Sequence, residues 1–124
     1  MIGLRFIRDE RSFFVKELVM QRIKLNELEQ GEEGRLRVAE VLRCGRVRVL
    51  LLTLPPGADV PSHRHDGWDV LLQPLRGRAE LELDGEKHVL EVGEVACVDG
   101  ASTFAPRNPG QESLALLVTL VRRD

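Results

Sequence analysis

From residue 35 onward, apolar side chains recur at every second position, the period of a strand with one face buried. Leu36-Arg37-Val38-Ala39-Glu40-Val41-Leu42-Arg43 reads as one strand, and Cys44-Gly45 turns the chain. Val47, Val49 and Leu51 then alternate with Arg46, Arg48 and Leu50, and the strand continues almost wholly apolar to Leu54. Pro55-Pro56-Gly57 ends it. Farther on, Ala79, Leu81 and Leu83 alternate with Arg78, Glu80 and Glu82; Asp84-Gly85 supplies a two-residue hairpin signal, and residues 86–92 return. Gly93 turns the chain into Val95-Ala96-Cys97-Val98, and Asp99-Gly100 turns it again. Residues 103–107 are extended, Asn108-Pro109-Gly110 is a turn, and residues 114–121 form a last buried strand. Short strands with turn signals about every 8–12 residues predict an all-β sandwich or barrel.

The first thirty residues follow no such rhythm. Asp9-Glu10-Arg11-Ser12 can cap a short helix carrying Phe14 and Leu18, with Val15 and Val19, at i,i+4 spacing, while Phe13-Phe14-Val15 suits a strand equally well. Arg22-Ile23-Lys24-Leu25 reads as strand. The expected organisation is an N-terminal extension over 1–30, packing across a partner subunit, and a barrel domain over 31–124.

Composition narrows the function classes. At 124 residues the chain fits one domain with a single sizeable core. Its 43% hydrophobic and 31% charged content is that of a globular chain rather than a disordered one. A net charge of −2, with bases scattered among acids, gives no footprint for nucleic acid. No apolar run approaches the ~20 residues of a membrane span, and the start turns charged too early for a signal peptide. Cys44 and Cys97 sit in separate strand-like segments without metal-type spacing, and are expected as buried free thiols in a reducing cytoplasm.

The chemistry concentrates in residues 57–77. His63 and His65 are one residue apart, so on a strand both imidazoles leave the same face with Cβ atoms about 7 Å apart, suited to converging on one ion. Trp68 stands beside them and either walls a pocket or packs on the barrel rim. His88 is expected to be structural or exposed. Arg46 and Arg48 share a strand face; they either clamp an anionic ligand or, the preferred expectation, lie on a solvated or subunit-facing surface near Glu80 and Glu82. Ser62, Ser102 and Ser113 lack any nucleophile-elbow context, which disfavours a hydrolase triad.

In these residues the sequence resembles the cupin superfamily, whose first motif runs from a glycine through His-x-His and a glutamate to a second glycine. Gly57, His63, His65 and Gly77 match it. The second motif, laid from Gly93, puts Asp99 at its proline, Ala101 at its glycine, Phe104 at its histidine and Asn108 at its asparagine. The resemblance covers about residues 35–121 and implies a double-stranded β-helix, or jelly-roll, barrel. In metal-containing members both motif-one histidines, the glutamate and the second-motif histidine bind one divalent ion. Phe104 offers only carbon at the last of these positions. Counting back from Gly77 puts Val70 at the glutamate, and counting forward from His65 puts Asp69 there. Adjacent strand residues face opposite ways, so Asp69 joins the histidines only through a register shift or bulge, for which Pro74 is a cause.

The expected metal set is therefore His63, His65 and Asp69, holding Zn, Fe, Mn or Ni with open positions, and Gln73 on the same face as Asp69. Trp68, Gln73 and Phe104 are the expected ligand-contacting residues. The competing expectation is a metal-free barrel in which Phe104 fills the missing ligand's volume. Three functions remain open: a metal-dependent enzyme of oxygenase or isomerase type, a small-molecule-binding or sensory barrel, and a structural barrel. The resemblance also implies a homodimer through edge strands.

Overall fold

The computed structural model describes residues 3–4, 20–28 and 34–124. The chain divides into two compact units, Met1–Gln30 and Gly31–Asp124. In the first, strands β1 (Gly3–Leu4) and β2 (Gln21–Arg22) pair antiparallel, and α1 (Leu25–Leu28) is one helical turn. The strand expected over 22–25 thus stops at Arg22, and Leu25 and Leu28 stand at the three-residue spacing of a helix face. The helix-or-strand alternatives over 9–19 lie outside the described residues.

In the second unit each alternating segment becomes a strand. They are β3 (Arg37–Cys44), β4 (Val47–Leu54), β5 (Trp68–Arg76), β6 (Arg78–Leu83), β7 (Glu86–Glu91), β8 (Ala96–Asp99), β9 (Phe104–Arg107) and β10 (Leu114–Arg122). They form an antiparallel sheet of order β3-β4-β10-β5-β8 and another of order β7-β6-β9. Asp84 and Gly85 both take positive φ, 51° and 86°, the geometry a two-residue turn needs to follow the strand twist between β6 and β7. The core joins the inward faces of both sheets, with Leu52, Leu54, Val70, Leu72, Leu116 and Leu120 from one and Ala79, Leu81 and Phe104 from the other.

Directly paired residues in an antiparallel sheet share a face, so the register tells which side chains enter the barrel. Arg48 pairs with Leu120, Leu120 with Val70, and Val70 with Val98. The last three are core residues, so Arg48 leaves β4 on the inward face, at the end of the row Leu50, Leu52, Leu54. The surface position expected for it near Glu80 and Glu82 is not found. Glu80 pairs instead with Arg107 and Lys87, at 3.3 and 3.7 Å, and the exposed Arg46 pairs with Asp124. Both cysteines are free, as expected, but they are exposed rather than buried. Cys44 ends β3 at a turn, and Cys97 opposes the outward Leu71 on edge strand β8.

Asn108 is the buried polar side chain of the described core, at 0% exposure. Its Nδ2 donates to the carbonyls of Leu54 (2.9 Å) and Glu112 (2.8 Å), and its Oδ1 accepts from the Gly110 amide (2.9 Å). Its own amide donates to Ala58 O and its carbonyl accepts from Gly57 N, both at 2.9 Å. The side chain thus closes the turn into β10 and fastens it to the end of β4, while the Asn108 main chain sets residues 57–58 beside β9. Asn108→Ala leaves two buried carbonyls and one amide without that partner and is expected to destabilise the domain by about 3 kcal/mol. Urea unfolding at an unchanged slope measures this; a loss below about 1 kcal/mol would contradict the assignment.

Candidate functional site

Residues 57–65 run beside β9 and make isolated bridges at Asp59–Arg107 and His63–Phe104. The second bridge is doubly hydrogen-bonded, His63 N to Phe104 O and Phe104 N to His63 O, both at 3.0 Å. Two such paired residues put their side chains on one face. The alternation carrying His63 inward carries His65 inward too, while Arg64 points out and pairs with Asp66 at 3.3 Å. The two imidazoles meet edge to face, with centroids 4.9 Å apart. Phe104 lies against both, 4.8 Å from the His63 ring and 5.9 Å from the His65 ring, and is only 2% exposed. It floors the histidine pair.

The far end of this stretch is held by main-chain atoms. Gly100 N donates to Trp68 O and His65 N donates to Gly100 O, both at 2.8 Å, and Trp68 N donates to His65 O at 3.0 Å. A Cβ on Gly100 would collide with the carbonyl oxygens of His65 and Trp68. Only glycine allows the turn after β8 to approach so closely. His63 is steadied separately, since its Nδ1 lies 2.8 Å from Pro61 O. With a carbonyl accepting there, the proton sits on Nδ1 and Nε2 is left as the acceptor or metal-binding nitrogen.

Of the six expected site residues, the structure brings together His63, His65 and Phe104, with Trp68 half-buried and packed against the core nearby. Asp69 does not join them. It accepts from Arg123 Nε at 2.8 Å, on the face opposite Val70, whose side chain is fully buried. A bulge does occur in β5 beside Pro74, but it falls at Leu75: Arg76 pairs with Ala115 and Pro74 with Leu116. From Asp69 to Gln73 the register is unbroken, so the bulge cannot turn Asp69 inward. Gln73 shares the outward face with Asp69, and it is exposed and away from the histidines. Among the described residues, no group of three or more His, Cys, Asp or Glu side chains is placed to hold a metal ion.

Charge stands at the barrel mouth too, where the sequence offered Arg48 as an anion clamp only as the less favoured alternative. The inward Arg48 contacts Glu40, with Nε to Oε2 and Nη2 to Oε1 both 3.4 Å, while Arg43 grips the same carboxylate at 2.7 and 3.2 Å. The Arg43 hydrogen bond is the main reason the Glu40 carboxyl sits below its usual range. The signal was present, since Arg48 is in phase with Leu50, Leu52 and Leu54. On the outer side of β6 and β9, a groove of about 310 Å³ is lined by Asp59, Glu80, Glu82, Lys87 and Arg107 among others. Glu80 there is already paired with both bases.

His65 is pushed below its ordinary value of 6.5, first by burial, then by the neighbouring His63 and by the charge of Arg48. On acidification the unfolded chain therefore takes the proton first, and the folded state loses stability as pH falls below about 6.5. The loss levels off once folded His65 is also protonated. A titration of the His65 ring proton by NMR is expected to give a midpoint below the ordinary value, moving upward in Arg48→Gln. An ordinary midpoint unaffected by that substitution would contradict this electrostatic account.

A crystal structure from Thermus thermophilus superposes with a TM-score of 0.76 at 24% identity, covering 85% of this chain and all of that one. A predicted oxalate decarboxylase from Thermotoga maritima gives a TM-score of 0.66 at 23% identity, over 72% of this chain and 82% of that one. At these identities the likeness is one of fold, an all-β double-stranded β-helix. In sequence, an uncharacterized protein of Aquifex aeolicus is 28% identical over 96 residues, 76% of this chain and 78% of its own length. The cupin-domain family model matches residues 50–120, from mid-β4 to the end of the inward row on β10. That match spans more than half of the chain, and with the two sheets described above it identifies the family to which this chain belongs, the cupins.

Proposed function

We propose that the barrel binds a small molecule over His63 and His65, rather than being a metal centre held by four protein ligands. The observation carrying this reading is carbon at both remaining ligand positions of the motif. Val70 faces inward where the family motif has its carboxylate, and Phe104 lies under both imidazoles where the motif has its third histidine. An apolar floor with two convergent polar groups and one tryptophan nearby suits a small organic ligand. His63 Nε2 would accept a hydrogen bond from it, and the depressed proton affinity of His65 keeps that ring neutral at physiological pH.

Cupins often bind divalent metals, and two imidazoles fall short of the three protein ligands such sites commonly use. One observation favours a metal nonetheless: the Nδ1 contact of His63 with a backbone carbonyl is the arrangement that orients metal-ligating histidines. A divalent ion would then need donors from the bound molecule or water, and would supply Lewis acidity. Assembly as a homodimer belongs to the same reading, supported by Leu36 and Val38, exposed on and beside edge strand β3.

The test pairs metal analysis with a ligand screen on untagged protein. After loading with Zn, Fe, Mn and Ni under reducing conditions and desalting, substoichiometric metal is expected. Small molecules are expected to change Trp68 fluorescence, and His63→Ala with His65→Ala to abolish that change. One equivalent of metal, lost in the same variant, would move the assignment to the metal-dependent reading. No ligand response with or without metal would overturn both.

A further inference from the structure

The inward register of Arg48 says more about the bound molecule. A guanidinium at the end of an apolar row is not there for packing alone, and its present partner is loosely held. Both Arg48 contacts to Glu40 are 3.4 Å, a stretched version of the two-point fork by which arginine grips a carboxylate. Glu40 does not depend on Arg48, because Arg43 holds it at 2.7 Å. Glu40, Arg43 and Arg48 together carry one net positive charge. Arg48 lies on the His65 side of the barrel, its charge being the smallest of the three influences on that ring after burial and His63.

We propose that the molecule bound in the barrel carries a carboxylate, and that Arg48 receives it by exchanging Glu40 for the ligand while Arg43 retains Glu40. The proposal rests on the small-molecule reading above and assigns the ligand's chemical class and its polar anchor. Giving up two long, partly solvated contacts costs little, since exposed ion pairs of this kind contribute little to stability; a tighter two-point contact with the ligand replaces them. Glu40 acts as a placeholder: it keeps the fork oriented, and it competes with the ligand.

That competition gives substitutions of opposite sign, which a merely structural ion pair would not. The probes are monocarboxylates from propionate to benzoate, each beside its neutral amide, titrated by Trp68 fluorescence and calorimetry in low-salt buffer. Circular dichroism and melting curves verify that each variant is folded. Wild type is expected to prefer a carboxylate over its amide by about tenfold, Arg48→Gln to erase the preference, and Arg48→Lys to restore part of it. Glu40→Gln is expected to tighten carboxylate binding by about threefold or more. Unchanged carboxylate binding in Arg48→Gln, or weaker binding in Glu40→Gln, would overturn the proposal. Amide binding equal to carboxylate binding, and lost in His63→Ala, would overturn it while leaving the barrel site standing. No binding of either series would remove both.

Discussion

The hydrogen bonds of one buried residue, Asn108, anchor the start of the site stretch. An uncompensated amide in this core would be costly, so its side chain requires partners and finds them at the end of β4 and in the turn at 110–112, while its main chain pairs with residues 57–58. The end of β4, the turn into β10 and the first residues after Pro56 are brought to one point. Residues 57–65 then have no choice but to run beside β9. That path makes His63 the bridge partner of Phe104 and turns both histidines toward the core. Asn108 sets where the stretch begins, and the His63–Phe104 bridge and the Gly100 contacts hold the rest of it.

Most of the β framework could be read from alternation, because a strand with one buried face imposes period two on its side chains. β4, the β6–β7 hairpin and β10 are the clearest cases, and Asp84-Gly85 marks its turn by backbone requirement alone. The inward pairing of His63 and His65 follows from the same rule. Asp69 was harder, because motif spacing counted from the two ends gives two answers differing by one residue. The tertiary register decides between them, placing Val70 inside and Asp69 against Arg123, a partner 54 positions away that no local pattern identifies. The cysteines were misplaced for a related reason: strand character is visible in sequence, but whether a strand lies at an edge depends on sheet order. Arg48 was legible in phase and set aside because arginine is usually solvated.

Chemically, the barrel has exchanged one kind of polarity for another. Two positions that carry ligating groups in metal-containing cupins hold a valine and a phenylalanine, both buried. The remaining polar groups are two imidazoles over an aromatic floor and a guanidinium–carboxylate cluster at the mouth. On the proposed reading, such a site would recognise shape and charge more readily than it would organise a metal's coordination sphere. Fold alone does not fix chemistry, and here the altered side chains carry the functional argument.

The Gly100 contact has an evolutionary consequence. It secures the loop bearing His65 and Trp68 entirely through main-chain atoms, so the loop's position is indifferent to the side chains displayed on it. Selection can therefore rewrite residues 63–66 while the loop keeps its shape, provided the glycine that contributes no chemistry of its own is kept. In this barrel a position closed to any side chain stands directly beside the positions whose side chains define the candidate site.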